Sequence, residues 1–329
     1  MRIYQDGSLR IEYPEDIIFV FNPQRIVVEG CGEYCEFVIS DGAHSIHDAR
    51  ELYGGKVLID FATYAQECFE KGERHKNITV DVLTDNGEVR FSFKAVWGAL
   101  NIGEIWNEER VVRWWKNYPQ TFGVYIPEGA MVETRGDGAY GVANTGTGFK
   151  NFVLADLFPT AQRSAGLRVK NGAEAGVFDH TFDITFGGVD TQTWLVDIDE
   201  CDTGIFLRWV DRHGWLQYWL LKDGEETQNA SNEGDEVSVE YADDVQSYHY
   251  GVTRQSKSLN KTMKGCAVLL NEKDREIVSG VAGSPYVDWW TGNAWVPVRI
   301  ANGTFVNDKS GLVDYEVEII LPKIVTQTL

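Results

Sequence analysis

The sequence has few basic residues for its length, and this deficit argues against several classes of partner. It contains 30 Lys and Arg residues against 50 Asp and Glu residues, so its formal net charge is −20. A protein that binds nucleic-acid phosphates needs a basic surface, and anionic membranes attract basic rather than acidic proteins. We therefore expect no nucleic-acid partner and no membrane partner.

Long apolar runs are also missing. No stretch approaches the ~20 consecutive apolar residues that a membrane-spanning helix requires. The first eight residues, Met-Arg-Ile-Tyr-Gln-Asp-Gly-Ser, are too polar for a secretory signal peptide. We expect a protein that is not secreted by a signal peptide and that folds in a cytoplasm.

Cysteine is scarce, and the five residues are scattered: Cys31, Cys35, Cys68, Cys201 and Cys266. Only Cys31 and Cys35 are close in sequence. One CxxxC pattern without a second pair or a nearby histidine is not typical of a metal site. We expect reduced thiols with a structural role, as in a reducing compartment, and no cofactor.

Motifs for catalysis are not found in a suitable context. Residues Gly136–Gly141 match the GxGxxG pattern, but the following Val-Ala-Asn-Thr-Gly-Thr-Gly does not begin the helix that a dinucleotide site needs. No GxSxG, HExxH or Cys/His nucleophile pair occurs where such chemistry would require it. We predict a protein that is not an enzyme and has no catalytic residues. A glycoside hydrolase is a third hypothesis, for which two facing carboxylates cannot be assigned.

The residues that are abundant favour β structure. The chain has 43% hydrophobic residues, 12% aromatic residues and 33 Gly against 3 Met. Short apolar runs separated by turn residues recur along it, which is typical of sandwiches and barrels. We predict an all-β fold with a few short helices and two β-sandwich-like domains. An N-terminal β domain spans residues 1–128, a glycine-rich connecting segment 129–178, and a C-terminal β-sandwich domain 179–329.

Ile205–Leu221 is the clearest β-hairpin, with its turn at Asp211–Gly214. Side chains alternate between the faces of a strand, so Trp209 and Trp219 belong to one apolar face. The opposite face is apolar as well, because it carries Phe206, Leu216, Tyr218 and Leu220. We expect both faces to be covered by another sheet or by another subunit.

Five further segments have clear patterns. The Asp85-Asn86-Gly87 turn predicts a second hairpin, and Asn271 is placed to cap a helix over residues 271–279. The runs 110–116 and 121–126 are predicted to pair with each other. The polar segment Gly224–Asp235 is predicted to be an exposed loop.

Seven tryptophans lie in the second half of the chain. One sandwich core holds about three or four large aromatic side chains, so the surplus predicts tryptophans at a surface, where they contact either a protein or a glycan. The candidates for such contacts are Trp209, Trp215, Trp219, Trp289 and Trp290.

An acidic cluster lies just before the hairpin in the sequence. Asp197, Asp199 and Asp202 could hold Ca²⁺ through their carboxylates. An EF-hand loop beginning at Asp197 would need a glutamate at its twelfth position, where Arg208 stands. A solvated strand edge is the alternative interpretation of the cluster.

The second half resembles the distal tail and related tail-tip proteins of siphophages and prophages, particularly those of Bacteroides-type hosts. The matching segments in this half are Phe206–Leu220 (FLRWVDRHGWLQYWL), Asn271–Ser279 leading into Ser284–Val287 (SPYV), Trp295–Ile300 (WVPVRI) and Asp314–Pro322 (DYEVEIILP). Ala95–Asn107 (AVWGALNIGEIWN) and Arg113–Pro119 (RWWKNYP) extend the resemblance into the first half.

This resemblance implies a structural virion protein of a phage or prophage tail. Its β-sandwich domains would assemble as a homo-oligomeric ring around the tail axis, with the tail tube above and the hub or receptor-binding proteins below. We expect it to be located in the virion tail after assembly in the bacterial host cytoplasm. The alternative is a carbohydrate-binding module or adhesin that uses surface tryptophans, with a glycan as partner and Ca²⁺ at the acidic cluster.

Overall fold

A computed structural model describes most of the chain. The described residues are 1–104, 106, 111–128, 130–136, 139–143, 146–158, 167–170, 174–177, 180–186, 190–199, 201, 203–239, 252–301 and 313–323. The chain divides into two compact units. The first contains Met1–Glu200 with Val210–Leu216, and the second contains Cys201–Trp209 with Gln217–Leu329.

The first unit begins with a β-sandwich. Its elements are β1 (Arg2–Asp6), β2 (Leu9–Tyr13), β3 (Ile17–Phe19), β4 (Arg25–Glu29), β5 (Cys35–Ser40), β6 (Ser45–Ala49), β7 (Lys56–Asp60), α1 (Ala62–Glu67), β8 (His75–Thr84) and β9 (Gly87–Val96). They form two sheets, in the orders β1-β2-β4-β7 and β3-β9-β8-β5-β6. One core contains Ile11 and Val28 from the first sheet and Phe37, Val80 and Phe93 from the second. The two sheets therefore pack face to face.

The hairpin predicted at Asp85-Asn86-Gly87 is present as β8 and β9. Thr84 pairs with Gly87, so Asp85 and Asn86 form the two-residue connection. The Asn86 side chain donates a hydrogen bond to the Gly30 carbonyl oxygen at 2.6 Å. The Asp85 carboxylate also accepts hydrogen bonds from the backbone N–H groups of Glu33 at 2.7 Å and Tyr34 at 3.0 Å. The turn is thus fixed by its own backbone and by several contacts to a distant loop.

A second group of strands completes the first unit. Its elements are β10 (Val111–Trp115), β11 (Thr121–Ile126), β12 (Met131–Gly136), β13 (Ala139–Ala143), β14 (Gly148–Val153), α2 (Leu154–Leu157), β15 (Leu167–Lys170), β16 (Glu174–Val177), β17 (His180–Phe186) and β18 (Asp190–Asp199). Five of these strands form one sheet in the order β10-β18-β17-β12-β13, and β11 pairs with β14. Trp114, Phe122 and Trp194 share a second hydrophobic core.

Two predictions for this region are wrong. Runs 110–116 and 121–126 do not pair with each other, since β10 pairs in parallel with β18 and β11 pairs with β14. The segment 129–178 was predicted as a connection, yet it contributes strands β12 to β16. Pairing with neighbouring strands overrides the low intrinsic strand propensity of a glycine-rich composition. Gly136 and Gly141 of the GxGxxG pattern lie on β12 and β13, which pair with each other.

The remaining elements are β19 (Ile205–Val210), β20 (Leu216–Val239), β21 (Val252–Leu270), α3 (Glu272–Gly283), β22 (Val287–Trp290), β23 (Trp295–Ile300) and β24 (Val313–Ile320). Their six strands form a closed barrel in the order β19-β20-β21-β24-β23-β22. Along β24 the exposed Glu316 and Glu318 alternate with the buried Tyr315, Val317 and Ile319, as the period of a strand requires.

The helix predicted from Asn271 is α3. Asn271 is its N-cap residue, and its side-chain oxygen accepts a hydrogen bond from the Asp274 backbone N–H at 2.9 Å. The prediction of an all-β fold with few short helices is confirmed. No helix among the described residues has both the length and the apolar character needed to cross a bilayer.

The turn of the predicted hairpin, which belongs to the first unit, is tightly constrained. The Asp211 carboxylate accepts hydrogen bonds from the backbone N–H groups of His213 at 3.0 Å and Trp215 at 2.8 Å. Gly214 has a φ of +78°, and a Cβ atom there would lie 2.6 Å from Cγ1 of Val96. Only glycine fits this turn without strain.

We expect Gly214→Ala to destabilise the protein by roughly 2–3 kcal/mol, because it adds a steric clash to the cost of left-handed backbone. Gly42→Ala is the matched control, since Gly42 has a φ of +90° with open space around its Cβ position. The control should lose about 1 kcal/mol. Urea unfolding of both variants measures the difference, and equal losses would contradict the close approach to Val96.

Candidate functional site

Three of the tryptophans predicted at a surface are buried. The exposed fractions are 1% for Trp209, 1% for Trp215 and 5% for Trp219. Trp209 pairs in register with Val287, which is itself buried, so closure of the barrel accounts for its environment. The prediction that these three side chains offer a contact surface is therefore corrected: they are core residues.

The second apolar face of the hairpin is covered within the same chain. Phe206, Tyr218 and Leu220 are buried, and Leu216 is half-buried. Trp295 contributes to this cover, since its ring centroid lies 5.8 Å from that of Phe206 and 6.2 Å from that of Tyr218. The hairpin therefore leaves no bare apolar face that would require another subunit.

Trp215 is part of an aromatic cluster in the first unit. Its ring stacks on Trp106 with a centroid distance of 5.5 Å and an interplanar angle of 10°. The His75 ring stacks on Phe149 at 3.9 Å and lies 5.0 Å from the Trp215 ring. Burial, together with the nearby positive charge of Arg74, lowers the pKa of His75 to about 3. The imidazole is neutral at physiological pH and acts as part of the packing.

A carboxylate–histidine pair lies beside this cluster. The Glu104 carboxylate is 2.9 Å from Nε2 of His213 and also contacts the Arg212 guanidinium. Burial alone would raise the pKa of Glu104, but the hydrogen bond from the Asn101 backbone and the charges of His213 and Arg212 hold that pKa below its ordinary value. The Glu104–His213 pair helps to hold the turn that carries Trp215. A second contact holds the same turn, since Trp106 donates a hydrogen bond to the His213 carbonyl oxygen at 3.3 Å.

Two of the predicted surface tryptophans, Trp289 and Trp290, are half-buried on β22. The ring of Trp290 lies 5.2 Å from that of Trp295. The Arg208 guanidinium lies 4.2 Å from the Trp295 ring centroid, a cation–π distance, and Arg208 Nε donates a hydrogen bond to the Asp288 carboxylate at 2.9 Å. The tryptophan patch, defined as Trp290, Trp295, Arg208 and Asp288, combines partly accessible indoles with a charged pair.

The acidic cluster does not form a metal centre among the residues that can be placed. Asp197 and Asp199 lie near the end of β18, and Asp199 Oδ2 is 3.7 Å from the Arg113 guanidinium. Arg113 supplies a positive charge beside the carboxylate that Ca²⁺ would use. Asp202 lies outside the described residues. In the described part of the chain no group of three or more His, Cys, Asp or Glu side chains could hold a metal ion.

The cysteines are free thiols, and Cys31, Cys35 and Cys68 are buried. Burial raises the pKa of Cys35 to about 12, and the neighbouring Cys31 thiol contributes to this shift. A thiol with such a pKa is unreactive at neutral pH. The CxxxC pattern is therefore packed into the core of the first β-sandwich.

The most extended surface feature is a two-stranded ribbon in the second unit. We define the ribbon as Asp223–Val239 of β20 with Val252–Lys261 of β21. These strands pair with each other to Val239 and Val252, whereas β21 pairs with β24 only from Thr262 onward. No other strand that the structure describes pairs with either outer edge of the ribbon.

The ribbon is largely polar where its side chains can be described. Every residue of β20 from Lys222 to Ser231 is exposed, whereas Leu259–Lys261 of β21 are half-buried. The Ser231 and Ser258 hydroxyls are 2.8 Å apart across the ribbon, and Lys261 Nζ lies 2.5 Å from the Glu226 carboxylate. Register shifts occur between Asp223 and Glu226 and between Glu233 and Val237.

Sequence reasoning predicted a loop where the ribbon stands. Gly224–Asp235 was expected to be exposed, which holds for residues 224–231, but it is strand rather than loop. The segment lacks the apolar alternation that indicates a strand, and Thr227 is its single β-branched residue. The available signal was charge, because this segment is acidic and the strand that pairs with it, β21, is basic between Val252 and Lys261.

Comparisons with known proteins add little. No family model matches the chain, and no curated protein matches it. Among solved structures, a three-domain titin fragment, I67–I69 in an E-to-A variant, is 7% identical with a TM-score of 0.18, covering 98% of this chain and 90% of that one. The I-band I67–I69 fragment of titin is 8% identical with a TM-score of 0.15, covering 74% and 87%. Likenesses at these TM-scores support no argument about fold or function.

The neutral His75 predicts how stability responds to acid. The unfolded chain protonates this histidine near pH 6.5, whereas the folded protein does so only near pH 3. Below pH 6.5 the unfolded state therefore binds more protons, and stability falls as the pH drops. Between pH 7.5 and pH 5 the free energy of unfolding of the wild type should fall, and His75 should account for about 2 kcal/mol of this fall. We expect the His75→Gln variant to lack this part of the pH dependence.

Chemical unfolding at the two pH values measures this effect. Phe122→Leu is the matched control, because Phe122 is a buried ring of a different core that carries no titratable group, so this variant should lose stability without a change in pH dependence. A His75→Gln variant with the wild-type pH dependence would show that the buried imidazole is not responsible.

Proposed function

We propose that the chain is a non-enzymatic structural protein of a phage or prophage tail tip, which assembles as a homo-oligomeric ring and contacts the tail tube and the hub or receptor-binding proteins. The tail assignment rests on the sequence resemblance in segments such as Phe206–Leu220 and Asp314–Pro322. The observation that supports assembly is the ribbon.

A free ribbon of this kind is an unusual feature for a monomeric protein. It extends roughly 30 Å along β21 alone, and its outer backbone groups have no described strand beside them. Two-stranded ribbons are marginally stable by themselves, and open strand edges readily pair with another chain. Residues 216–270 contain no proline, which would block such pairing. The ribbon is therefore suited to bind a strand of another subunit.

The charge of the chain is compatible with this role. A net charge of −20 keeps free protomers soluble and disfavours random association before a specific partner is found. Selective assembly then depends on backbone pairing at defined edges rather than on a large apolar patch. This agrees with a hairpin whose apolar faces are both covered within the chain.

We expect the purified protein to form a discrete oligomer at high micromolar concentration. A variant in which residues 229–260 are replaced by Asn-Gly keeps the paired Gln228 and Lys261 at the base of a short hairpin. We expect this variant to be monomeric, because the ribbon edges are gone. Size-exclusion chromatography with light scattering, together with negative-stain microscopy, measures both outcomes.

The barrel of the shortened variant should remain folded, and near-ultraviolet circular dichroism provides that control. A wild-type protein that is strictly monomeric and forms no rings would overturn the assembly proposal. Absence of the protein from purified virions by mass spectrometry, where its gene lies beside tape-measure and tail-tube genes, would overturn the tail assignment.

Carbohydrate binding is a second candidate, favoured by the tryptophan patch. Indole rings stack on the apolar faces of sugars, and a neighbouring Arg208–Asp288 pair can hydrogen-bond to hydroxyl groups. The patch lies on strands β19, β22 and β23 of the barrel.

If the patch binds glycans, Trp290→Ala should lower the affinity on a glycan array at least roughly tenfold. Tyr53→Ala is a suitable control, because Tyr53 is a large aromatic residue that is 92% exposed in the first unit. An array that shows no binding, with and without Ca²⁺, would remove this candidate.

A further inference from the structure

The two strands of the ribbon carry opposite charge. From Asp223 to Val239, β20 contains six acidic residues and no basic residue. From Val252 to Lys261, β21 contains three basic residues and no acidic residue. The ribbon thus has one acidic edge and one basic edge.

Opposite charges on adjacent strands attract across a sheet. Within the ribbon this is seen directly, where Lys261 contacts Glu226. Gln228 is the residue paired with Lys261, so Glu226 is a diagonal neighbour on the acidic strand. A basic strand that pairs with the outer edge of β20 would also have acidic residues as its diagonal neighbours.

Strand direction permits this addition between copies in the same orientation. Strands β20 and β21 run antiparallel. A second copy related by rotation about an axis parallel to the ribbon would set its β21 antiparallel to β20 of the first copy. The sheet would then continue with alternating acidic and basic strands, and each copy would use two different edges. Such a head-to-tail contact forms a ring when the rotation closes.

We propose that the acidic outer edge of β20 binds the basic outer edge of β21 of a second copy of this chain. This inference rests on the proposed function, since it specifies the contact through which the ring assembles. Lys257 and Arg254 lie on the basic edge, and Glu225 and Glu233 lie on the acidic edge. The Glu225 side chain is 84% exposed and accessible to a neighbour.

Two charge-reversal variants test the edges separately. Arg254→Glu with Lys257→Glu makes both edges acidic. Glu225→Lys with Glu233→Lys, Asp235→Lys and Glu236→Lys makes both edges basic, because only Asp223 and Glu226 then stay acidic on the β20 edge. Both variants keep the Glu226–Lys261 pair. We expect each alone to self-associate at least roughly tenfold more weakly than wild type in light scattering, because like charges then face each other. An equimolar mixture of the two should associate again, since acidic edges meet basic edges.

The control reverses the same number of positive charges away from the ribbon, at the exposed Lys71 and Lys273, and should associate like wild type. A monomeric wild type would overturn the proposed function and this inference together. A wild type that assembles while both reversal variants assemble equally well would overturn the edge contact alone. Variants that lose association and are not restored by mixing would also overturn it, because a folding defect would then explain the loss.

Discussion

Backbone hydrogen bonding at strand edges is the constraint on which the second unit depends. Strands β20 and β21 are long, and β24 pairs with β21 only from Thr262 onward, beside one further backbone hydrogen bond from Leu321 to the Lys261 carbonyl oxygen. Inside the barrel every strand has two neighbours, so its apolar face can be sealed from water. In the ribbon each strand has one described neighbour, and its exposed side chains are polar. Strands β20 and β21 thus form part of the barrel over one stretch and the ribbon over the other.

This division separates stability from recognition. The tryptophans and the two apolar faces of the hairpin are used for the core, as the burial of Trp209, Trp215 and Trp219 shows. Burial of such large side chains stabilises the fold by a few kcal/mol each, but it leaves them unable to contact a partner. The ribbon offers backbone, carboxylate and amine groups to the outside, and the barrel adds the half-buried indoles on β22 and β23.

The sequence predicted the elements whose patterns are local. The β8–β9 turn follows from Asn86-Gly87, helix α3 follows from the cap at Asn271, and the β19–β20 hairpin follows from its aromatic runs. The predictions that failed concern strands whose pairing partners are not specified by the local sequence. The parallel partner of β10 lies far along the chain in β18, and no local pattern specifies it. The ribbon was missed for the same reason, since polar residues adopt a strand only when a partner strand is present. The tryptophan count predicted surplus aromatic side chains at a surface, whereas Trp194, Trp209, Trp215 and Trp219 are all buried.

The pairing of β10 with β18 also has a consequence for synthesis of the chain. Val111 pairs with Leu195, so β10 leaves the ribosome long before its partner exists. During this interval Trp114 and Trp115, both buried in the finished protein, have no sheet to pack against. Contacts between residues far apart in sequence form slowly, because a long loop must close first. The amino-terminal sandwich, whose strands all lie within residues 2–96, can fold while this sheet is still incomplete. Chaperone capture during translation would therefore be concentrated on the stretch between residues 111 and 195.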